Sequence, residues 1–345
     1  MGHSITDFQR AASRIEANPL GRLMYGQREL FHSNLLAWFF DELPDVANLC
    51  FRELAAHGPG ETRAVEREKG NLDLVMHWPD RVPLVIENKV FSLPLSDQLK
   101  GYEDQTRSWR PEPSLVLLSM SAPQFETGPW RYLSYAELAH SIKSALPEDS
   151  TYEVQTMHRY ADLILDLNDL ISAVGINSSD EPVWLPDDLL SAITSSQMRA
   201  ALQKARAQRL ARHLDELLEL VEPAWSAMSN ATPLVEIFQR IPIDGAFARV
   251  GWQLQGSQFR RSVIYEDPAL QGRDDASRRS REDVSRRYPE LFTLPASIEL
   301  QRSGRKEFNH FAPDSVYQYA KVPALTVGEL VAAANEVRES ITFLA

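Results

Sequence analysis

Three charged side chains stand where apolar ones belong. Asp73 lies in the alternating run 71–78, and Glu87 and Lys89 lie in the apolar run 82–90. Side chains alternate in a strand, so Glu87 and Lys89 share one face while Ile86 and Asn88 share the other. Asp73 faces away from Leu72 and Leu74. Only residues 79–81 separate the two runs, which predicts a hairpin with Asp73 beside Glu87. Burying two carboxylates and an ammonium is costly unless they are paired or hold a metal. Two carboxylates suit Mg2+ (or Mn2+), which keeps several waters and borrows other ligands from a substrate phosphate. Such a metal acidifies a bound water and stabilises charge on a phosphoryl group in transit. Lys89 would orient that water or balance developing charge. The plain alternative is a surface hairpin with an exposed Glu–Lys pair, worth little energetically. It accounts neither for the apolar flanks nor for the helix that follows.

The elements around these residues follow from periodicity and breakers. A helix over 4–17 ends at Asn18-Pro19-Leu20-Gly21. A helix over 28–43 is apolar on most sides and therefore buried. A short helix over 46–57 stops at Gly58-Pro59-Gly60. Strands are expected over 62–68, 71–78 and 82–90, with turns at Lys69-Gly70 and Pro79-Asp80. A helix over 96–109 precedes a nearly continuous apolar strand over 114–120, as expected for a strand buried on both faces. Helices over 135–145 and 152–174 close this part. Residues 175–182 read as a linker, which gives domains at 1–175 and 183–345. Beyond it the pattern predicts a long helix over 196–222 and strands near 247–254, 258–265, 297–301 and 316–322. An exposed loop or helix over 272–288 and a last helix over 326–343 complete the chain. The fold class is α/β, with a C-terminal α+β region.

Asp73, Glu87-Asn88-Lys89 and the order α-β-β-β-α-β resemble the PD-(D/E)XK nuclease superfamily, whose core is restriction-endonuclease-like. The strand Leu84-Val85-Ile86-Glu87-Asn88-Lys89 matches the one that carries the (D/E)XK element. Glu29, His32 and Ser33 are similar to the helix that opens a largely uncharacterised bacterial subgroup. Gln98 and Tyr102 match a Gln-x-x-x-Tyr element of the exonuclease-type branch. The resemblance covers residues 29–120. It departs at the first motif position, where Asn71-Leu72-Asp73 lacks the proline but keeps the carboxylate. It implies a Mg2+- or Mn2+-dependent nuclease with Asp73, Glu87, Lys89, Gln98 and Tyr102 as catalytic residues. It also implies Asp73, Glu87 and Glu29 as metal ligands, and a task in bacterial defence against foreign DNA. The alternative keeps the fold and drops catalysis, leaving a nucleic-acid- or protein-binding module. Glu29 is either a second acid at the site or an exposed residue favoured at a helix start. His32 is either a hydrogen-bonded packer or a ligand. Gln98 and Tyr102 contact DNA, the metal's waters or each other. Glu68 either reaches the site or ends its strand exposed.

Charge bears on the partner. The 345 residues carry 36 Lys plus Arg against 48 Asp plus Glu, a net charge of −12, which at first argues against nucleic acid. Residues 196–310, however, are net +3, and the rest of the chain carries the acidic excess. On the long helix Arg199, Lys204, Arg206, Arg209 and Arg212 form a basic series beside an apolar stripe, which reads as phosphate contacts or as a solvated face. Arg278, Arg279, Arg281, Arg286 and Arg287 form a second cluster, diluted by Asp and Glu. One cysteine, Cys50, excludes an intramolecular disulfide framework and a Cys-rich zinc site, and suits a reducing cytoplasm. No apolar run spans a bilayer, so the expected partner is nucleic acid, DNA above RNA, and not a membrane. A homodimer or a defence-system partner is compatible with the sequence.

Overall fold

The computed structural model describes residues 5–25, 28–55, 64–78, 82–301, 306–322 and 325–342. The expected turn at Pro79-Asp80 and the breaker 58–60 lie outside the described residues. The chain divides into two compact units. One holds the residues up to 174 together with 187–205, the other 175–186 together with 206 onward.

The first unit begins with α1 (Ile5–Ala17), α2 (Pro19–Met24), α3 (Arg28–Glu42) and α4 (Pro44–Ala55). The expected stop at Asn18-Pro19 is also a start. Asn18 Oδ1 accepts from Leu20 N at 3.0 Å, and Pro19 sits where a helix needs no N–H. Next come β1 (Ala64–Lys69), β2 (Leu72–His77), β3 (Leu84–Lys89), α5 (Ser96–Thr106), β4 (Ser114–Ser119) and β5 (Arg131–Ser134). They form a five-stranded sheet in the order β1-β2-β3-β4-β5, antiparallel through β3 and parallel from β3 to β5. The parallel step from β3 to β4 needs a crossover, and α5 supplies it. One face of the sheet packs on α5 through Val75, Val85, Leu99, Leu115, Leu117 and Trp130. On the other, α3 lies against β1, β2 and β3. β3 is buried along its whole length, as expected of a central strand covered on both faces. The edge strand β5 passes straight into α6 (Tyr135–Ala145) through a capping box, in which Glu137 N donates to Ser134 Oγ at 3.1 Å and Ser134 N donates to Glu137 at 2.9 Å. α7 (Tyr152–Ala173) follows, capped by Thr151. After the excursion 175–186 come α8 (Asp187–Leu190) and α9 (Ser196–Leu218), whose residues up to 205 belong to this unit.

The second unit is built on a five-stranded antiparallel meander: β6 (Trp225–Ser229), β7 (Thr232–Ile243), β8 (Ala246–Gln255), β9 (Gln258–Tyr265) and, after α10 (Asp275–Arg287), β10 (Ser315–Lys321). Residues 297–301, expected as a strand, contribute only the single bridge Gln301–Lys321. α11 (Val327–Thr342) ends the described chain. Val250, Trp252, Phe259 and Val263 on one sheet face join Leu210 and Leu214 of α9 and Leu330 and Val337 of α11 in one core. At Gly251, on the other face, a Cβ would stand 1.9 Å from the Ile237 carbonyl oxygen, so only glycine fits there.

Candidate active site

β2 and β3 pair in the register Leu74–Ile86 and Val75–Val85, which carried one step further sets Asp73 beside Glu87. Strand parity then puts Asp73, Glu87 and Lys89 together at the end of β3. Lys89 Nζ lies 2.5 Å from Glu87 Oε1. Gln98, in the first turn of α5, donates from Nε2 to the same Oε1 at 3.1 Å and to the Tyr102 hydroxyl at 2.8 Å. Their i, i+4 spacing makes that pair possible. Asp73 Oδ2 accepts from the Asn88 backbone N–H at 2.7 Å. The five side chains are thus gathered in one place.

Burial and like charge shape their protonation. Burial raises the Glu87 carboxyl to about 8, and the neighbouring Asp73 adds to the rise against the pull of Lys89. Burial also raises Asp73, offset in part by the Asn88 N–H and Lys89 and reinforced by Glu29. Burial opposes the charge on Lys89, but Glu87 and Asp73 outweigh it and raise the ammonium above its ordinary value. Glu87 is 1% exposed, and its Oε2 has no hydrogen-bond partner among the described residues. One oxygen therefore carries both donors while the other carries none. Two crowded carboxylates and an orphaned buried oxygen fit a hard divalent cation. Among the described residues no group of three or more His, Cys, Asp or Glu is arranged to hold a metal. Among the described residues Asp73 and Glu87 are the pair of carboxylates that would hold such a cation.

Glu29, expected as a third acid at the site, has one carboxylate oxygen committed within the protein. Its Oε1 accepts from Ser92 N at 3.2 Å and from the Ser92 hydroxyl, so it holds the chain leaving β3. It nevertheless lines, with Asp73, Glu68, Phe91, Ser92, Ala201 and Lys204, a cavity of about 340 Å³. Glu68 thus faces the cavity; its backbone is held in the left-handed region at φ 52°. Behind the acids, Asn88 donates to the Glu29 carbonyl at 2.9 Å and to Ser33 Oγ at 3.2 Å, and accepts from the Tyr135 hydroxyl. His32 is fully buried, bonds Tyr160 OH through Nδ1 at 3.0 Å and packs edge-on to Tyr135. Burial lowers its pKa to about 3. It is a packer, held neutral. Sequence reasoning did not single out Asn88, Tyr135 or Tyr160. The polar residue at the centre of Glu-Asn-Lys was the available signal.

The basic helix is corrected in part. Arg206 is 2% exposed and donates to the carbonyls of Gly175, Pro182 and Val183 and to Glu181, so it ties residues 175–183 rather than facing a phosphate. Arg209 is half-buried, and burial lowers its pKa. Arg199 is also half-buried and donates to the Ile193 carbonyl at 3.4 Å. Lys204 alone of the four is exposed, lines the acid cavity, and makes no ion pair or hydrogen bond among the described residues. In the second cluster Arg278, Arg286 and Arg287 pair with Asp275, Glu307 and Asp244, and Arg281 is buried on the Leu270 and Gly272 carbonyls. Among the described residues no helix is long and apolar enough to cross a membrane.

The first unit is thus an α/β fold whose mixed sheet brings Asp73 of β2 beside Glu87 and Lys89 of its central strand β3. Residues 20–160 match the sequence model of the PD-(D/E)XK nuclease superfamily, whose fold is restriction-endonuclease-like. Its members are nucleases that generally use divalent metals. No curated protein and no solved structure matches the chain.

Proposed function

We propose that the first unit hydrolyses phosphodiester bonds of DNA, with Asp73 and Glu87 holding Mg2+ or Mn2+. The single observation that carries this reading is the unpartnered, buried Glu87 Oε2 beside Asp73. When bound, the cation supplies Lewis-acid chemistry to the phosphoryl group and acidity to water. Gln98 and Lys89 occupy Glu87 Oε1, which leaves Oε2 as the oxygen that would hold the cation. Lys89, kept protonated, donates to the attacking water and offsets charge that develops on the phosphoryl oxygens. Tyr102 fixes the Gln98 amide. Lys204, unpaired on the cavity wall, takes a neighbouring phosphate. A role in defence against foreign DNA is the biological extension of the same reading.

The test uses the purified full chain with linear duplex, plasmid, single-stranded DNA and RNA, in Mg2+, Mn2+ or EDTA. Metal-dependent cutting of DNA is expected, and it should vanish in EDTA. Cutting unchanged in Asp73→Ala and Lys89→Ala would remove the assigned residues. Intact binding with no cutting of any substrate would favour a catalytically silent module.

A further inference from the structure

The core of the second unit takes one face of its sheet and leaves the other to a different set of residues. Directly paired residues project to the same side of a sheet. The register aligns Trp225 with Glu236, Gln253, Arg260 and Tyr319 in one row across all five strands. The next row carries Phe238, Gly251, Ser262 and Tyr317, and the one after it Arg240 and Arg249. Phe238, Gly251, Gln253 and Ser262 are buried beneath their neighbours, while Trp225 and Phe247 are exposed and Arg249, Arg260, Tyr317 and Tyr319 are half-exposed.

What occupies this face is a repeated arginine–aromatic pair. The Arg240 guanidinium lies 3.8 Å from the Phe247 ring centroid, Arg260 4.8 Å from Tyr317 and Arg249 5.2 Å from Phe238. Tyr317 and Tyr319 neighbour each other at 6.2 Å. Trp225 and Phe247 are 54% and 46% exposed, and Arg240 covers one side of the Phe247 ring. Arg240 and Arg249 have half-exposed acidic partners, Glu266 and Glu222, which a phosphate can replace. Among the described residues Arg260 hydrogen-bonds Gln258 and no acid. Glu236, the acid on this face, bonds Gln253 at 2.6 Å, and burial raises its pKa.

We propose that this sheet face binds single-stranded nucleic acid. Exposed rings offer stacking platforms to unpaired bases, and guanidiniums between them meet the phosphates. A duplex hides its base faces and could use only the charges. The Trp225–Tyr319 row crosses four strand gaps, about 19 Å, enough for roughly four nucleotides, the lower end of single-strand site sizes. The inference does not rest on the catalytic reading, since the face lies outside the segment 20–160 and would bind whether or not Asp73 and Glu87 cut.

The experiment is fluorescence anisotropy of the full chain in EDTA, which suppresses cutting. The probes are labelled oligothymidylate, oligouridylate and a duplex of equal length. Single strands should bind more tightly than the duplex, and the two oligomers distinguish DNA from RNA as the source. Tyr317→Ala with Tyr319→Ala should weaken single-strand binding about tenfold or more, while the doubly conservative Phe variant should retain it. Arg260→Gln should lower the slope of log affinity against log salt by about one. If the double alanine variant does not fold, the Arg260→Gln slope and a Trp225→Ala loss decide. Equal affinity for duplex, or single-strand affinity unchanged in these folded variants, would overturn the proposal.

Discussion

The two sheets handle charge in opposite ways. In the first unit the charges of Asp73, Glu87 and Lys89 are set into or beside a strand covered on both faces, and their proton affinities move because of it. In the second, arginines lie on rings on one side of a sheet whose other side forms the core. Buried, crowded charge stores a demand for a specific counter-ion, which suits chemistry. Charge laid flat on rings makes no such demand, which suits contact with a long, repetitive polyanion. The contrast is one of degree, because β9 also buries Arg261 completely on the core side of the second sheet.

Substitutions can break or sharpen that contrast. The largest effect is expected at the buried site. Asp73→Ala or Lys89→Ala should lower the cleavage rate by about 10²–10³-fold with single-strand binding in EDTA unchanged, by anisotropy and single-turnover kinetics. If binding fell in parallel, the two sheets would not be separate devices. Asn88→Ala comes next. It leaves the Tyr135 hydroxyl, the Glu29 carbonyl and Ser33 without their shared partner, at a cost of about 2–4 kcal/mol in urea unfolding.

A third prediction uses pH. His32 is neutral in the folded chain with a pKa of about 3, whereas the unfolded chain protonates it near its ordinary value. The unfolded state then binds more protons below about pH 6.5, so stability falls as pH drops toward 3. The loss attributable to His32 is about 2 kcal/mol at pH 5, and His32→Gln should remove it. A profile identical in the variant would show that the histidine is not held neutral. The smallest effect belongs to the open face of the second sheet. Arg260→Gln should change stability by no more than about 1 kcal/mol, because a half-exposed guanidinium on a ring contributes little. A larger loss would mean that this face is structural.

Much of the first unit was legible because its signals are local. Parity within a strand and a short connection set Asp73 beside Glu87, and i, i+4 spacing set Gln98 beside Tyr102. The apolar run Ser114–Ser119 announced a doubly covered strand. What escaped depends on distant pairing. Arg206 carries the same letter as a phosphate contact, and only residues 175–183 arriving with three carbonyls make it internal. β6 and β7 were missed because their turn, Asn230-Ala231, uses left-handed residues without the glycine that usually marks it. The arginines at 240, 249 and 260 sit on three strands, and nothing but register brings them onto one face.

β3 carries a practical consequence. Glu87 and Lys89 meet Asp73 at the candidate site, while Asn88 between them fastens helix to sheet. If the proposed function holds, an inert protein with its architecture intact is to be made by changing Glu87 or Lys89 and leaving Val85 and Asn88 alone. Such a variant would hold polymer without consuming it. Recovered from cells with its cargo, it would let the natural substrate be read by sequencing rather than guessed from a panel of oligonucleotides.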